Sequence, residues 1–317
     1  MNTQSRPRIG ISACLLGQPV RYNGGHKRHD WITDALAKHV DFVPVCPEVA
    51  MGLGTPRPAL RLQRSRAPSA AVELVETNSG QDLTADAQTT YAQLAENRED
   101  IDAFLLKRDS PTCGLERVKI YTKETGIPFP EGVGLFAAEL KKRYPDLPML
   151  EEGRLSDLEQ KEHFLTQVFA HHQLRNTPPE IAALQRLHRR HKFLLLEHGP
   201  TQYQELGRIV ANSENLSPVK VKENYRHGFA IALRNPPRRG TRVNVLEHAM
   251  GFLRDQADDL DRKQLAESIQ EFQAGKLPFL APLTVAYHLI KKFQVEYLLE
   301  QTFFSPYPRD LGGLTRL

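Results

Sequence analysis

Cys14, Cys46 and Cys113 are the only cysteines among 317 residues, and each closes an apolar run and opens a polar turn containing Gly or Pro. The runs read Ile9-Gly-Ile-Ser-Ala-Cys14-Leu-Leu-Gly17, Phe42-Val-Pro-Val-Cys46-Pro-Glu48 and Phe104-Leu-Leu-Lys-Arg-Asp-Ser-Pro-Thr-Cys113-Gly114. Taken singly, a free cysteine is most often a small buried hydrophobe. Three thiols at the tips of three strand-like segments can meet only if those strands end at one edge. In α/β sheets that edge is where ligands bind.

The first half of the chain supports such a sheet. Strand-like segments at Ile9–Cys14, Asp41–Cys46, Ala71–Glu76, Asp102–Leu106 and Leu147–Leu150 alternate with helical patterns at His29–His39, Thr84–Arg98 and Val133–Tyr144. Asp30 is positioned to cap the first of these helices, and Ala71–Glu76 has the period-2 pattern of a half-buried edge strand. Strand–helix alternation predicts an α/β fold, a Rossmann-like, mostly parallel sheet with flanking helices.

After Glu151-Glu-Gly-Arg154 the pattern becomes helical. Helices are predicted at Leu155–Gln173, from Pro178-Pro179 through Leu195 to Gly199-Pro200, and at Gln202–Asn212, Val243–Leu260, Lys263–Ala274 and Pro282–Phe303. Two domains are therefore expected, residues 1–152 around the cysteines and an all-α domain over 153–317. Charge follows the same division: residues 1–154 carry 20 basic and 20 acidic side chains, and residues 155–317 supply the whole surplus of +4. No apolar stretch approaches the roughly 20 residues of a membrane span. The N-terminus lacks a signal-peptide core, and an odd number of cysteines argues against a disulfide framework. A cytoplasmic protein without membrane contact is expected.

The residues alone leave the chemistry of the cysteines open. Structural zinc favours four ligands with close C-x₂-C pairs, which are missing here. Catalytic zinc with three thiolates, one nucleophilic cysteine served by His26 or His29, and an iron–sulfur cluster with one iron lacking a protein ligand all fit. Thiolate ligands suit zinc and iron–sulfur alike. Reactive neighbours are at hand: Glu48 on the turn after Cys46, Ser110 three residues before Cys113, Arg21, Tyr22 and Asn23 after Cys14, and Arg57 after Cys46.

These motifs resemble those of the thiouracil desulfidase family. Ser12-Ala-Cys-Leu-Leu-Gly17 with Arg21-Tyr-Asn-Gly24, Cys46-Pro-Glu-Val49 with Gly52-Leu53 and Pro56-Arg57, and Ser110-Pro-Thr-Cys-Gly114 occur in the family's order. The second half resembles the helical domain often fused to it, through Asn244-Val-Leu-Glu-His248, Gly251-Phe252, Gln301 and Pro306-Tyr-Pro308. The fused form is similar to bacterial desulfidases that return 4-thiouridine in tRNA to uridine. The resemblance implies a [4Fe-4S] cluster held by Cys14, Cys46 and Cys113 with the fourth iron open to substrate. It implies Glu48 as catalytic acid/base, Ser110 as catalytic serine, and non-redox, hydrolytic release of sulfide. The tyrosine–aspartate pair common after the first cysteine is Tyr22-Asn23 here.

The basic residues of the second half suggest why it is there. Lys220 and Lys222 near Tyr225, and Arg238, Arg239 and Arg242 around Gly240, suit phosphate contacts and base stacking on RNA. Together with Arg21, Tyr22, Asn23 and Arg57 they form the expected substrate-binding set, with 4-thiouridine-containing tRNA as partner. The competing expectations are a desulfidase of free thiouracil or thionucleosides, and a cluster-carrying RNA-binding regulator without turnover.

Overall fold

The structure, a computed structural model, describes residues 5–65, 71–211 and 215–311. The chain divides into two compact units, Met1–Ser156 and Asp157–Leu317.

In the first unit, β1 (Arg8–Ser12), β2 (Asp41–Val45), β5 (Ala103–Leu106) and β8 (Met149–Glu151) form one sheet in the order β2-β1-β5-β8. All three pairings are parallel. The central strands β1 and β5 are apolar because both faces are covered: Ile9, Ile11 and all of β5 are buried, while β2 at the edge is largely half-exposed or exposed. From β1 the chain passes first to one side, into β2, and later to the other, into β5. Such a reversal opens a crevice beyond the carboxyl ends of the strands.

A second sheet was not anticipated. It holds β3 (Leu60–Arg64), β4 (Glu73–Glu76), β6 (Val118–Thr122) and β7 (Pro128–Gly132), in the order β4-β3-β6-β7. β4 lies at its edge, as its alternation predicts, and pairs antiparallel with β3. Val118, Ile120 and Thr122 alternate inward, so β6 carried a readable period-2 signal. β7 contains Pro128 and Pro130, and it too lies at an edge, where a missing ladder N–H is tolerated.

Short α1 (Pro47–Ala50) follows β2, while α2 (Thr84–Leu94) and α3 (Leu135–Arg143) cover the core. There Phe136 of α3 meets Tyr91 and Phe104 edge-on, with ring centroids 5.8 and 6.5 Å apart. Gly10 is required by that packing, since a Cβ there would lie 2.1 Å from the Phe104 ring. The helix expected at His29–His39 forms instead as a π-turn (Trp31–Ala35) continued by a 3₁₀ turn (Leu36–Lys38). Asp30 does not cap it, because its own backbone is already helical (φ −57, ψ −44); its carboxylate accepts from Arg28 at 2.8 Å instead.

The second unit is helical: α4 (Leu158–Asn176), α5 (Ile181–Arg190), α6 (Lys192–His198), α7 (Pro200–Ala211), α8 (Pro218–Ala232), α9 (Arg239–Gly251), α10 (Asp259–Gln273), α11 (Leu280–Lys292) and α12 (Glu296–Leu299). Three predicted long helices are broken. The helix ending at Gly199 divides at His191, whose Nδ1 turns back to the Leu187 carbonyl at 3.0 Å. The helix predicted over Val243–Leu260 divides before Asp258, which caps α10 by accepting from the Asp261 amide at 2.8 Å. The last divides at Gln294, which sits at φ 52. α8 was not anticipated, although Ser217 at its N-cap and Pro218 at its first position are the standard start signals. Among the described residues, no helix is long and apolar enough to cross a membrane.

Candidate active site

Cys14, Cys46 and Cys113 line one cavity of about 580 Å³ beyond the carboxyl ends of β1, β2 and β5. Cys14 sits in the 3₁₀ turn (Ala13–Leu16) that continues β1, and Cys46 directly follows β2. Cys113 is carried on the loop after β5, which needs more support because it is seven residues from its strand. The N-terminus of α3 supplies that support. The amides of Leu135, Phe136 and Ala137 donate to the carbonyls of Pro111 and Thr112 at 3.0–3.1 Å, and Gly134 donates to Gly114 at 2.8 Å. A Cβ on Gly134 would approach the Thr112 carbonyl to 2.5 Å, so only glycine lets the loop dock.

All three thiols are free, and Cys14 and Cys113 are buried. Burial pushes Cys14 up to about 11 and Cys113 up to about 12, and raises Cys46 as well. As thiols they are neutral at pH 7, unlike an activated nucleophilic cysteine. A centre that binds them displaces their protons. No histidine lines the cavity, so neither His26 nor His29 serves a cysteine there.

Among the described residues no group of three or more His, Cys, Asp or Glu converges tightly enough to hold a single metal ion. Three free thiols from three strand ends on one cavity are a soft donor set, and it fits an iron–sulfur cluster as it would fit zinc.

Beside the cysteines runs a hydrogen-bonded chain. Thr112 Oγ1 lies 3.1 Å from Glu48 Oε1, and Ser110 Oγ lies 3.0 Å from Thr112 Oγ1. An ionised carboxylate only accepts, so Thr112 donates to Glu48 and Ser110 donates to Thr112. Ser110 Oγ in turn accepts from the amides of Cys113 at 3.1 Å and Thr112 at 3.3 Å. One hydroxyl thus shapes the Cys113 turn and heads a path for protons to Glu48.

Arg57 holds the other end of this chain. It is ion-paired with Glu48 Oε2, and its guanidinium donates to the carbonyls of Val20 at 3.0 Å and Gly54 at 2.8 Å. Its side chain is only 3% exposed and is absent from the cavity wall. Arg57 therefore sits behind the carboxylate and fixes its rotamer. Arg21 and Tyr22 do line the cavity, the Arg21 guanidinium 5.7 Å from the Tyr22 ring. Asn23 does not; it accepts from the Gly25 amide at 3.2 Å and closes a turn.

Sequence reasoning missed Thr112, Lys27, Lys107 and Glu152, all on the cavity wall. Lys107 is ion-paired with Glu152, which also accepts from the Arg108 amide at 2.7 Å, tying the β5 and β8 ends together. Thr112 stands between Ser110 and Cys113, a polar side chain inside a motif already singled out. Thr112→Val keeps the shape and removes the bridge. It is expected to slow turnover about tenfold to a hundredfold, part of the usual general acid–base contribution, without loss of bound iron. Steady-state rates and iron assay of the purified variant check this.

In the helical unit the expected basic residues do different work. Lys220 is ion-paired with Glu223 at 2.8 Å. Lys222 closes the end of α4, donating to the carbonyls of Arg175 and Thr177. Arg242 is paired with fully buried Glu197 at 3.3 Å and lies 4.2 Å over the Phe279 ring. Arg239 is exposed and lies 5.7 Å over Phe272, and Arg238 is exposed at the N-cap of α9.

Fold and site together define an α/β protein with a three-thiol cavity and an acid–base chain at a strand-end crevice. Residues 9–152 match the family model described as 2-thiouracil desulfurase, and residues 192–308 match one described as a protein of unknown function (DUF1722). Residues 9–152 belong to the 2-thiouracil desulfurase family, fused in this chain to that second domain. It is 31% identical over 173 residues to the uncharacterized protein YbgA of Escherichia coli strain K12, covering 54% of this chain and 94% of the relative. It is 29% identical over 154 residues to the uncharacterized protein YbbK of Bacillus subtilis strain 168, covering 47% and 99% respectively. A solved structure of a [4Fe-4S]-dependent thiouracil desulfidase, TudS, is 36% identical, covers 48% of this chain and 95% of its own, and superposes with a TM-score of 0.38.

Proposed function

We propose that the chain is a cytoplasmic desulfidase that hydrolyses 4-thiouridine in tRNA to uridine and sulfide, with Cys14, Cys46 and Cys113 holding a [4Fe-4S] cluster. The observation that carries this reading is the Ser110–Thr112–Glu48 chain on the wall of the three-cysteine cavity. Three thiolates leave one iron of such a cluster without a protein ligand, which supplies a sulfur-seeking Lewis acid.

The chain's own residues account for the proton movements. Glu48, ionised and held by Arg57, takes a proton from water as its oxygen adds to the thiocarbonyl carbon. The carbon–sulfur bond then breaks, sulfur leaves as sulfide, and the proton on Glu48 passes to it. Water supplies the oxygen and two protons, so no electrons are exchanged. The cavity wall carries both charges, Lys107 paired with Glu152, and Arg21 and Lys27 on it are cations suited to meet a nucleotide phosphate. Three free thiols also favour a reducing compartment.

The family's description favours a second reading, desulfidation of free 2-thiouracil. The two are separated by anaerobic sulfide-release assays on 4-thiouridine-containing tRNA and on 2-thiouracil. Faster turnover of the tRNA at equal concentration is expected, and turnover of 2-thiouracil alone would sink the tRNA reading. A cluster-bearing protein that releases sulfide from neither would instead be an RNA-binding regulator.

A further inference from the structure

Several aromatic rings of the helical unit gather at its surface. Phe193 of α6 is buried, and against it pack His248 of α9 at 5.3 Å, Phe252 at 6.2 Å and Tyr297 of α12 at 6.3 Å. Phe252 and Tyr297 are stacked, with centroids 5.1 Å apart and planes 29° from parallel. His248 meets Phe252 edge-on at 5.6 Å. Phe252 is nonetheless 39% exposed, and His248 is exposed as well.

The rim is cationic. The Arg189 guanidinium lies 5.8 Å from the Tyr297 ring and shares itself with Glu300 at 2.7 Å. The Lys192 ammonium lies 5.9 Å from the Phe193 ring. Partial desolvation and the Lys192 charge lower the His248 pKa. Phe252 and His248 are exposed and Tyr297 half-exposed, and aromatic side chains at a surface with a guanidinium and an ammonium beside them are complementary to unpaired nucleobases and their phosphates.

We propose that Phe252, Tyr297 and His248 form a stacking platform for an unpaired base of single-stranded RNA, with Arg189 and Lys192 meeting the adjacent phosphates. This deepens the tRNA reading, and rests on it for the identity of the physiological RNA. It also shifts base contact away from Lys222 and Arg242, which are engaged inside the unit.

The test uses the full-length protein and a short fluorescein-labelled oligouridylate, read by anisotropy at several salt concentrations. Phe252→Ala is expected to bind about tenfold more weakly, the scale of one lost base stack. Phe252→Tyr keeps a ring and should bind like the wild type. Arg189→Ala should reduce the slope of log affinity against log salt by about one. Helical circular dichroism and melting temperature verify that each variant is folded. Failure of the wild type to bind the oligonucleotide, or equal affinity in wild type and Phe252→Ala, overturns the platform. Oligonucleotide binding lost in Phe252→Ala, together with no sulfide from thiolated tRNA in the wild type, would leave the platform standing and overturn the substrate reading.

Discussion

Cys113→Ala is expected to abolish bound iron and desulfidation together while leaving the fold in place. The side chain lost is small, and the loop that carries it is held by other groups. Ser110 accepts from the Cys113 amide, which alanine retains, and the start of α3 grips the carbonyls of Pro111 and Thr112. The cost to stability should therefore be that of a trimmed buried group, about 1–2 kcal/mol. The proposed cluster would lose one of only three protein ligands. Anaerobic purification, an absorption spectrum and iron and acid-labile sulfide assays measure the first effect; sulfide release measures the second. A Cys113→Ala protein that keeps full iron and full turnover would remove this cysteine from the centre. The same pairing of losses is expected for Cys14→Ala and Cys46→Ala, since all three thiols face one cavity.

Glu48→Gln separates proton transfer from assembly. With its single oxygen turned to Arg57 the amide presents NH2 to Thr112, whose hydroxyl then accepts, and it cannot take a proton from water. Turnover should fall by roughly 10²–10⁴ with unchanged iron content. The buried Arg57 guanidinium keeps a neutral acceptor but loses its counter-charge, so stability should drop by about 1–3 kcal/mol. Iron assay, single-turnover kinetics and a thermal melt distinguish these effects. Normal turnover in this variant would take Glu48 out of the mechanism. Combining Glu48→Gln with Thr112→Val should cost little beyond Glu48→Gln alone, because the bridge has no role once its acceptor cannot ionise.

Much of the first unit was legible because its signals are local. Apolar runs ending in Cys14 and Cys46 gave β1 and β2, and the alternation of Ala71–Glu76 gave an edge strand. The second sheet was equally written, in Leu60–Arg64 and Val118–Thr122, but its strands are short and lie among turns that draw the eye to loops. The cap expected at the start of His29–His39 failed for a reason no periodicity reveals: Asp30 already has helical backbone angles.

Within the site, the sequence by itself determined which chemical groups were available: three thiols, a carboxylate after Cys46 and a hydroxyl before Cys113, each at a strand-end turn. It could not assign direction to Arg57 or importance to Thr112. Arg57 and Glu48 are nine residues apart, and Thr112 and Glu48 are 64 apart. Their partnership exists only once β1, β2 and β5 lie side by side. Likewise, Phe252 and Tyr297 become neighbours only through the packing of α9 against Phe193. Local spacing encodes period and turn chemistry over a few residues. Which side chain turns toward which is settled by tertiary packing, where burial and hydrogen-bond satisfaction leave few arrangements open.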